Sequence, residues 1–216
     1  MKNSIKYEHL AQYRTSHVVN RQEREIIFAL HGYGQLSEFF LRKLSPLFRE
    51  DRLFVVPEAT NYAYLEGFSG RVGANWMTRH ERESAIINNN HFLNAVLESL
   101  WIKYSEKPNL KVLGFSQGAA TATRWVSQLP IPVESIMLWG GGFAHDLNPS
   151  KVQQKLRDSI CYLAIGDQDN YITAESLLKQ DELVKELGIN AQKIFYKGGH
   201  EIDVELLGRL LVHNVS

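Results

Sequence analysis

Short, almost wholly apolar runs recur along the chain, separated by longer stretches in which apolar residues return at every third or fourth position. The runs are Ile26-Ile27-Phe28-Ala29-Leu30, Leu53-Phe54-Val55-Val56, Leu110-Lys111-Val112-Leu113-Gly114-Phe115, Ser135-Ile136-Met137-Leu138-Trp139, Ile160 to Ile165, and Lys193-Ile194-Phe195-Tyr196. Each is too short for a helix and too apolar for a strand with one wet face, so each reads as a strand buried on both sides, as in a parallel sheet. Helical spacing appears at Ile86, Phe92, Leu93, Val96, Leu97, Leu100 and Trp101. It returns at Leu177, Leu178, Leu183, Val184 and Leu187, where Gly188 supplies a C-terminal stop. Ala119, Ala120, Ala122, Trp125 and Val126 predict a small-residue helix, and Val204, Leu207, Leu210 and Leu211 predict a last one with His213 near its end. This alternation predicts an α/β fold: a mostly parallel central sheet flanked by helices on both faces. Residues 4 to 19 alternate less cleanly and predict an antiparallel edge hairpin.

Residues 58–80 break the rhythm. They are rich in glycine and aromatics (Tyr62, Tyr64, Phe68, Trp76) and lack a clear period. A connection of that length and character predicts a lid or binding loop. No repeat, low-complexity tract or linker interrupts the chain, so residues 1–216 read as one domain.

Composition narrows the partners rather than the fold. Lys plus Arg equals Asp plus Glu at 24 each, so no overall field draws nucleic acid or an anionic membrane. A partner must be selected by a local site, which points to a small molecule. Cys161 is the single cysteine, so an internal disulfide is excluded, and its apolar neighbours predict a buried thiol. No run reaches membrane-spanning length, and residues 1–8 carry no apolar signal stretch, so a cytoplasmic location is expected.

The chemistry centres on Gly114-Phe115-Ser116-Gln117-Gly118. This G-x-S-x-G pattern closes a predicted strand and opens a predicted helix. The turn between them is sharp, and small flanking residues let the serine hydroxyl rise above the sheet. Helix capping by Ser116 would not explain glycines on both sides. A serine hydroxyl needs a base and an orienting acid, which in this arrangement follow in the chain order Ser, Asp or Glu, His. Gly166-Asp167-Gln168-Asp169 follows the strand ending at Ile165, and Gly198-Gly199-His200 follows the strand ending at Tyr196. His200 is therefore the expected base. Spacing leaves Asp167 and Asp169 both open as the acid. An anion developing on the substrate would be held by the backbone N–H of Gln117 and by one from the His31-Gly32-Tyr33-Gly34 loop, assigned to Tyr33. His31 itself reads as structural. No metal-ligand spacing stands out, and neither a metal nor an organic cofactor is expected.

At these motifs the chain resembles the phospholipase/carboxylesterase family of α/β-hydrolases, which includes the acyl-protein thioesterases. The matching stretches are His31-Gly32-Tyr33-Gly34, Gly114-Phe115-Ser116-Gln117-Gly118-Ala119-Ala120, Gly166-Asp167-Gln168-Asp169 and Gly199-His200. The resemblance implies an α/β-hydrolase fold and a serine hydrolase of carboxylic esters or thioesters, working through an acyl-enzyme. It also selects Asp169 as the acid, because the family pattern uses the second Asp. Ile172-Thr173 and Gln35 depart from that pattern. Aromatics near the expected mouth, Trp76, Phe143 and Tyr171 among them, suggest a small apolar acyl or aryl substrate. A peptidase or acyltransferase would use the same triad, and a silent binding protein would have no reason to keep it.

Overall fold

The structure, a computed structural model, describes residues 1–212; His213, expected at the end of the last helix, lies outside the described residues. Its strands are β1 (Tyr13–Thr15), β2 (Glu25–Leu30), β3 (Arg52–Pro57), β4 (Asn61–Tyr64), β5 (Val72–Asn75), β6 (Asn109–Phe115), β7 (Ser135–Trp139), β8 (Ile160–Gly166) and β9 (Ala191–Tyr196). Its helices are α1 (Ser37–Lys43), α2 (Arg82–Trp101), α3 (Gln117–Val126), α4 (Pro149–Leu156), α5 (Ala174–Glu186) and α6 (Val204–Val212). The central sheet has seven strands in the order β1-β3-β2-β6-β7-β8-β9. Only β1 runs antiparallel to its neighbour.

Five of the six apolar runs become strands covered on both faces; the sixth, Lys193–Tyr196, is corrected, because it lies in β9 at the edge of the sheet and leaves Lys193 and Phe195 exposed. Along β2, Ile26, Phe28 and Leu30 point into one core with Trp125 of α3, Leu93 of α2 and Val152 of α4. Ile27 and Ala29 point the other way, into a second core with Phe40 of α1 and Leu207 of α6. The alternation follows from the two-residue period of a strand. Cys161 belongs to the first core, and burial pushes its thiol up to about 12, so it serves as a small apolar residue.

The expected edge hairpin at residues 4–19 is corrected: only Tyr13–Thr15 forms a strand, pairing with β3 through Thr15 opposite Val55. The open edge of β3 offers those residues a ready ladder, whereas the largely exposed segment before them buries too little to pay for ordering a second strand. Residues 58–80 are likewise not structureless. They fold as the β4–β5 hairpin, with Tyr62 opposite Ala74. The hairpin leans on the loop after β2, where Gly34 N–H donates to Ala74 O at 2.8 Å. A side chain at Gly73 could not fit, since its Cβ would lie 2.5 Å from Gly34 O.

Register aligns the strand ends that matter. Leu30 pairs with Gly114, Phe115 with Trp139, Trp139 with Ala164, and Gly166 with Tyr196. The loops after β2, β6, β7, β8 and β9 therefore emerge along one edge of the sheet, at the carboxyl ends where open α/β sheets place their sites. Chain order also reverses there, as β3 lies on one side of β2 and β6 on the other.

Candidate active site

Ser116 stands between β6 and α3 with φ 53° and ψ −117°, a backbone state strained for a residue with a side chain. The flanking glycines are required by close approach. A Cβ on Gly114 would lie 2.5 Å from Ala119 Cα, and one on Gly118 would lie 2.2 Å from Leu30 O. The helix start is thus pressed onto the end of β2, and the tight turn leaves Ser116 at its apex. Gly118→Ala is expected to lower the melting temperature, by an amount corresponding to about 1–3 kcal/mol or more of overpacking, because the obstructing atoms are backbone. Thermal denaturation measures it directly.

His200 Nε2 lies 2.9 Å from Ser116 Oγ, and His200 Nδ1 lies 2.7 Å from Asp169 Oδ2. Asp169 is 6% exposed, and its other oxygen accepts the Tyr171 N–H at 2.9 Å. A carboxylate only accepts, so the ring carries its proton on Nδ1 and turns a lone pair on Nε2 toward the Ser116 hydroxyl. Asp167, the alternative acid, is exposed and accepts the Gly198 N–H at 3.0 Å, stitching the β8 loop to the loop that carries His200.

The loop after β2 comes up beside the serine: a Cβ on Gly32 would sit 3.2 Å from Ser116 Cβ. Among the described residues, the N–H groups of Tyr33 and Gln117 have no hydrogen-bond acceptor. The aromatics expected at the mouth separate. Tyr171 is 76% exposed and its ring centroid lies 4.7 Å from that of His200, which also packs on Phe115 at 5.0 Å. Phe143 packs into the first core, and Trp76 is 0% exposed, so the Trp76 ring has no surface to offer a ligand.

Some positioning groups escaped the sequence. Gly140, with φ 55°, clears the space beside the imidazole; a Cβ there would lie 3.1 Å from His200 Nδ1. The signal was the Gly140-Gly141-Gly142 run directly past a buried strand. The His200 loop is also pinned at Glu201 O, which accepts from Trp139 Nε1 at 2.8 Å and from the Tyr196 hydroxyl at 2.5 Å. Nothing in the sequence pattern marked those two side chains. No group of three or more His, Cys, Asp and Glu side chains among the described residues is placed to hold a metal ion.

This sheet, with a serine raised on a strand–turn–helix and an acid and an imidazole supplied from later strand ends, is the α/β-hydrolase fold. A family profile described as phospholipase/carboxylesterase matches residues 16–213, and the chain belongs to that family of hydrolases. Among solved structures it is similar to esterase PE8, with 23% identity and a TM-score of 0.66 over 93% of this chain and 97% of that one. It is similar to acyl-protein thioesterase 2 of Zea mays, with 16% identity and a TM-score of 0.69 over 94% and 98%. A carboxylesterase from Mesorhizobium loti gives 18% identity and a TM-score of 0.70 over 94% and 95%. At these identities the likeness is one of fold. No curated protein matches the sequence. No described helix is long and apolar enough to cross a membrane.

Proposed function

We propose that the protein is a serine hydrolase that cleaves carboxylic ester or thioester bonds through an acyl-enzyme, with Ser116 as nucleophile, His200 as base and Asp169 as orienting acid. The observation that carries this reading is the continuous chain of hydrogen bonds from Asp169 Oδ2 through His200 to Ser116 Oγ. Ser116 Oγ attacks the acyl carbon while its proton passes to His200 Nε2. The carbonyl oxygen becomes an oxyanion held by the N–H groups of Tyr33 and Gln117. Collapse breaks the bond to the leaving oxygen or sulfur, which takes the proton from His200. Water then repeats the sequence at the acyl-enzyme, and the carboxylic acid departs with Ser116 restored.

The substrate side of the proposal is a small apolar acyl or aryl ester, because Tyr171 offers an exposed ring face against His200. A cytoplasmic home and action from a single domain complete it, supported by a lone buried cysteine and one shared central sheet. A fluorophosphonate probe is expected to modify Ser116 and stop ester turnover together. A silent binding protein on this fold would remain unlabelled. In a chain-length series of acyl esters, Tyr171→Ala is expected to raise KM by about three- to tenfold for the longer or aryl substrates, the size of one aromatic contact. Equal KM values for both proteins throughout the series would remove Tyr171 from the substrate site.

A further inference from the structure

His31 is wholly buried, and both of its ring nitrogens are engaged. Nε2 accepts the Ala59 N–H at 3.1 Å, so the proton must reside on Nδ1, which donates to Gly32 O at 2.8 Å. Burial pushes the imidazole pKa down, outweighing the Gly32 bond and the nearby Glu58 charge, and keeps the ring neutral. The acceptor of that bond matters more than its strength. Gly32 O and Tyr33 N–H belong to the same planar peptide and point in opposite directions. A bond that fixes the carbonyl therefore aims the N–H.

The residue that carries the second N–H is anchored through its side chain from the same place. Trp76 Nε1 donates to His31 O at 2.8 Å, and the Trp76 backbone N–H donates to Gln117 Oε1 at 2.8 Å. Gln117 Nε2 completes the clamp on Met77 O at 2.7 Å. One buried residue thus joins the loop carrying Tyr33 to the residue that follows the nucleophile. Its ring lies 5.1 Å from that of His31, centroid to centroid. This accounts for an indole that is closed to substrate yet adjoins both halves of the anion site.

We propose that His31 and Trp76 are positioning residues for the oxyanion: His31 fixes the Gly32–Tyr33 peptide, and Trp76 sets its spacing to Gln117. The inference rests on reading the Tyr33 and Gln117 amides as the oxyanion donors. A preorganised pair of donors is effective because no reorganisation remains to be done as charge develops. Misaiming one donor should therefore lower kcat and leave KM nearly unchanged.

Two variants of one residue make the test. In His31→Asn the amide nitrogen is attached at Cγ, as Nδ1 is, and can still donate to Gly32 O while the Ala59 N–H loses its acceptor. In His31→Gln the polar atoms lie one bond further out, near the place of Nε2, so the Ala59 bond is kept and the Gly32 bond is lost. Fluorophosphonate modification reads the anion site directly: Ser116 Oγ forms a bond to phosphorus, fluoride leaves, the proton passes to His200, and the phosphoryl oxygen takes the oxyanion position. The expected result is labelling at least about tenfold slower in His31→Gln than in His31→Asn, with kcat for esters following and the melting temperatures similarly lowered. That is a fraction of the roughly hundredfold loss on deleting an oxyanion donor outright. Equal rates in the two variants, or the reverse order, would overturn the proposal. Should neither fold, Trp76→Phe decides: it keeps a ring but loses the donor to His31 O, and a labelling rate unchanged from the parent protein would overturn the inference. Failure of the parent protein itself to label, against a Ser116→Ala blank, would instead dismiss the underlying hydrolase reading.

Discussion

Ser116→Ala is expected to abolish ester hydrolysis by about five to six orders of magnitude while leaving the fold intact. The hydroxyl is the attacking group in the proposed mechanism, and its partners act through it, so removing it costs about as much as removing the whole triad. Stability responds differently. Ser116 occupies a left-handed backbone state that is costly for any residue bearing a Cβ, at about 1–3 kcal/mol. Alanine inherits that strain and forfeits only one hydrogen bond, to His200. Glycine relieves it, so Ser116→Gly should be equally inactive and melt no lower than Ser116→Ala. Initial rates on an activated ester, paired with melting curves, check both statements. Substantial turnover in purified Ser116→Ala protein would remove Ser116 from its assigned role.

Strain at the nucleophile also explains why this part of the site could be read from the sequence. A turn so tight excludes most side chains around it, and Gly114 and Gly118 record the exclusion in the order of residues. The buried strands were legible for a related reason: β2, β3 and β6 to β8 have covers on both faces, and the double burial demands unbroken apolar runs. Where one face alone is buried, the pattern thins. Helix α4 commits only Val152 and Leu156 to the core, and α1 only Ser37 and Phe40, so neither shows a helical stripe. The β4–β5 hairpin is almost the inverse of a core strand, with every residue of β4 exposed. Its order comes from backbone pairing and from contact with the loop after β2, neither of which leaves an apolar signature. Trp76 shows the limit most plainly. An aromatic beside a glycine-rich loop suggests a substrate contact, and only the three-dimensional arrangement reveals that its N–H groups are spent on His31 and Gln117.

The two aspartates after β8 should separate cleanly under substitution. Asp169→Asn is expected to reduce turnover by about four orders of magnitude with little change in melting temperature, and Asp167→Asn by no more than a fewfold. The reason lies in what each carboxylate serves. Asp169 accepts at both oxygens, from the Tyr171 N–H and from His200. An amide in its place has one acceptor, and the Tyr171 N–H, fixed by the backbone, has first claim on it. The NH2 group then faces His200 Nδ1, which must accept rather than donate, so the ring proton moves to Nε2. A protonated Nε2 in a neutral ring cannot take the Ser116 proton, and the base is lost although every atom is nearly in place; a wrong tautomer of this kind costs about four orders of magnitude. Asp167, by contrast, accepts one N–H, from Gly198, at an exposed position. Asparagine retains a carbonyl oxygen for that bond, so the loop carrying His200 stays where it is and stability falls by less than about 1 kcal/mol. Steady-state assays of both variants, each with a melting curve, measure the contrast. An inactive, stably folded Asp167→Asn beside an active Asp169→Asn would assign the acid to Asp167.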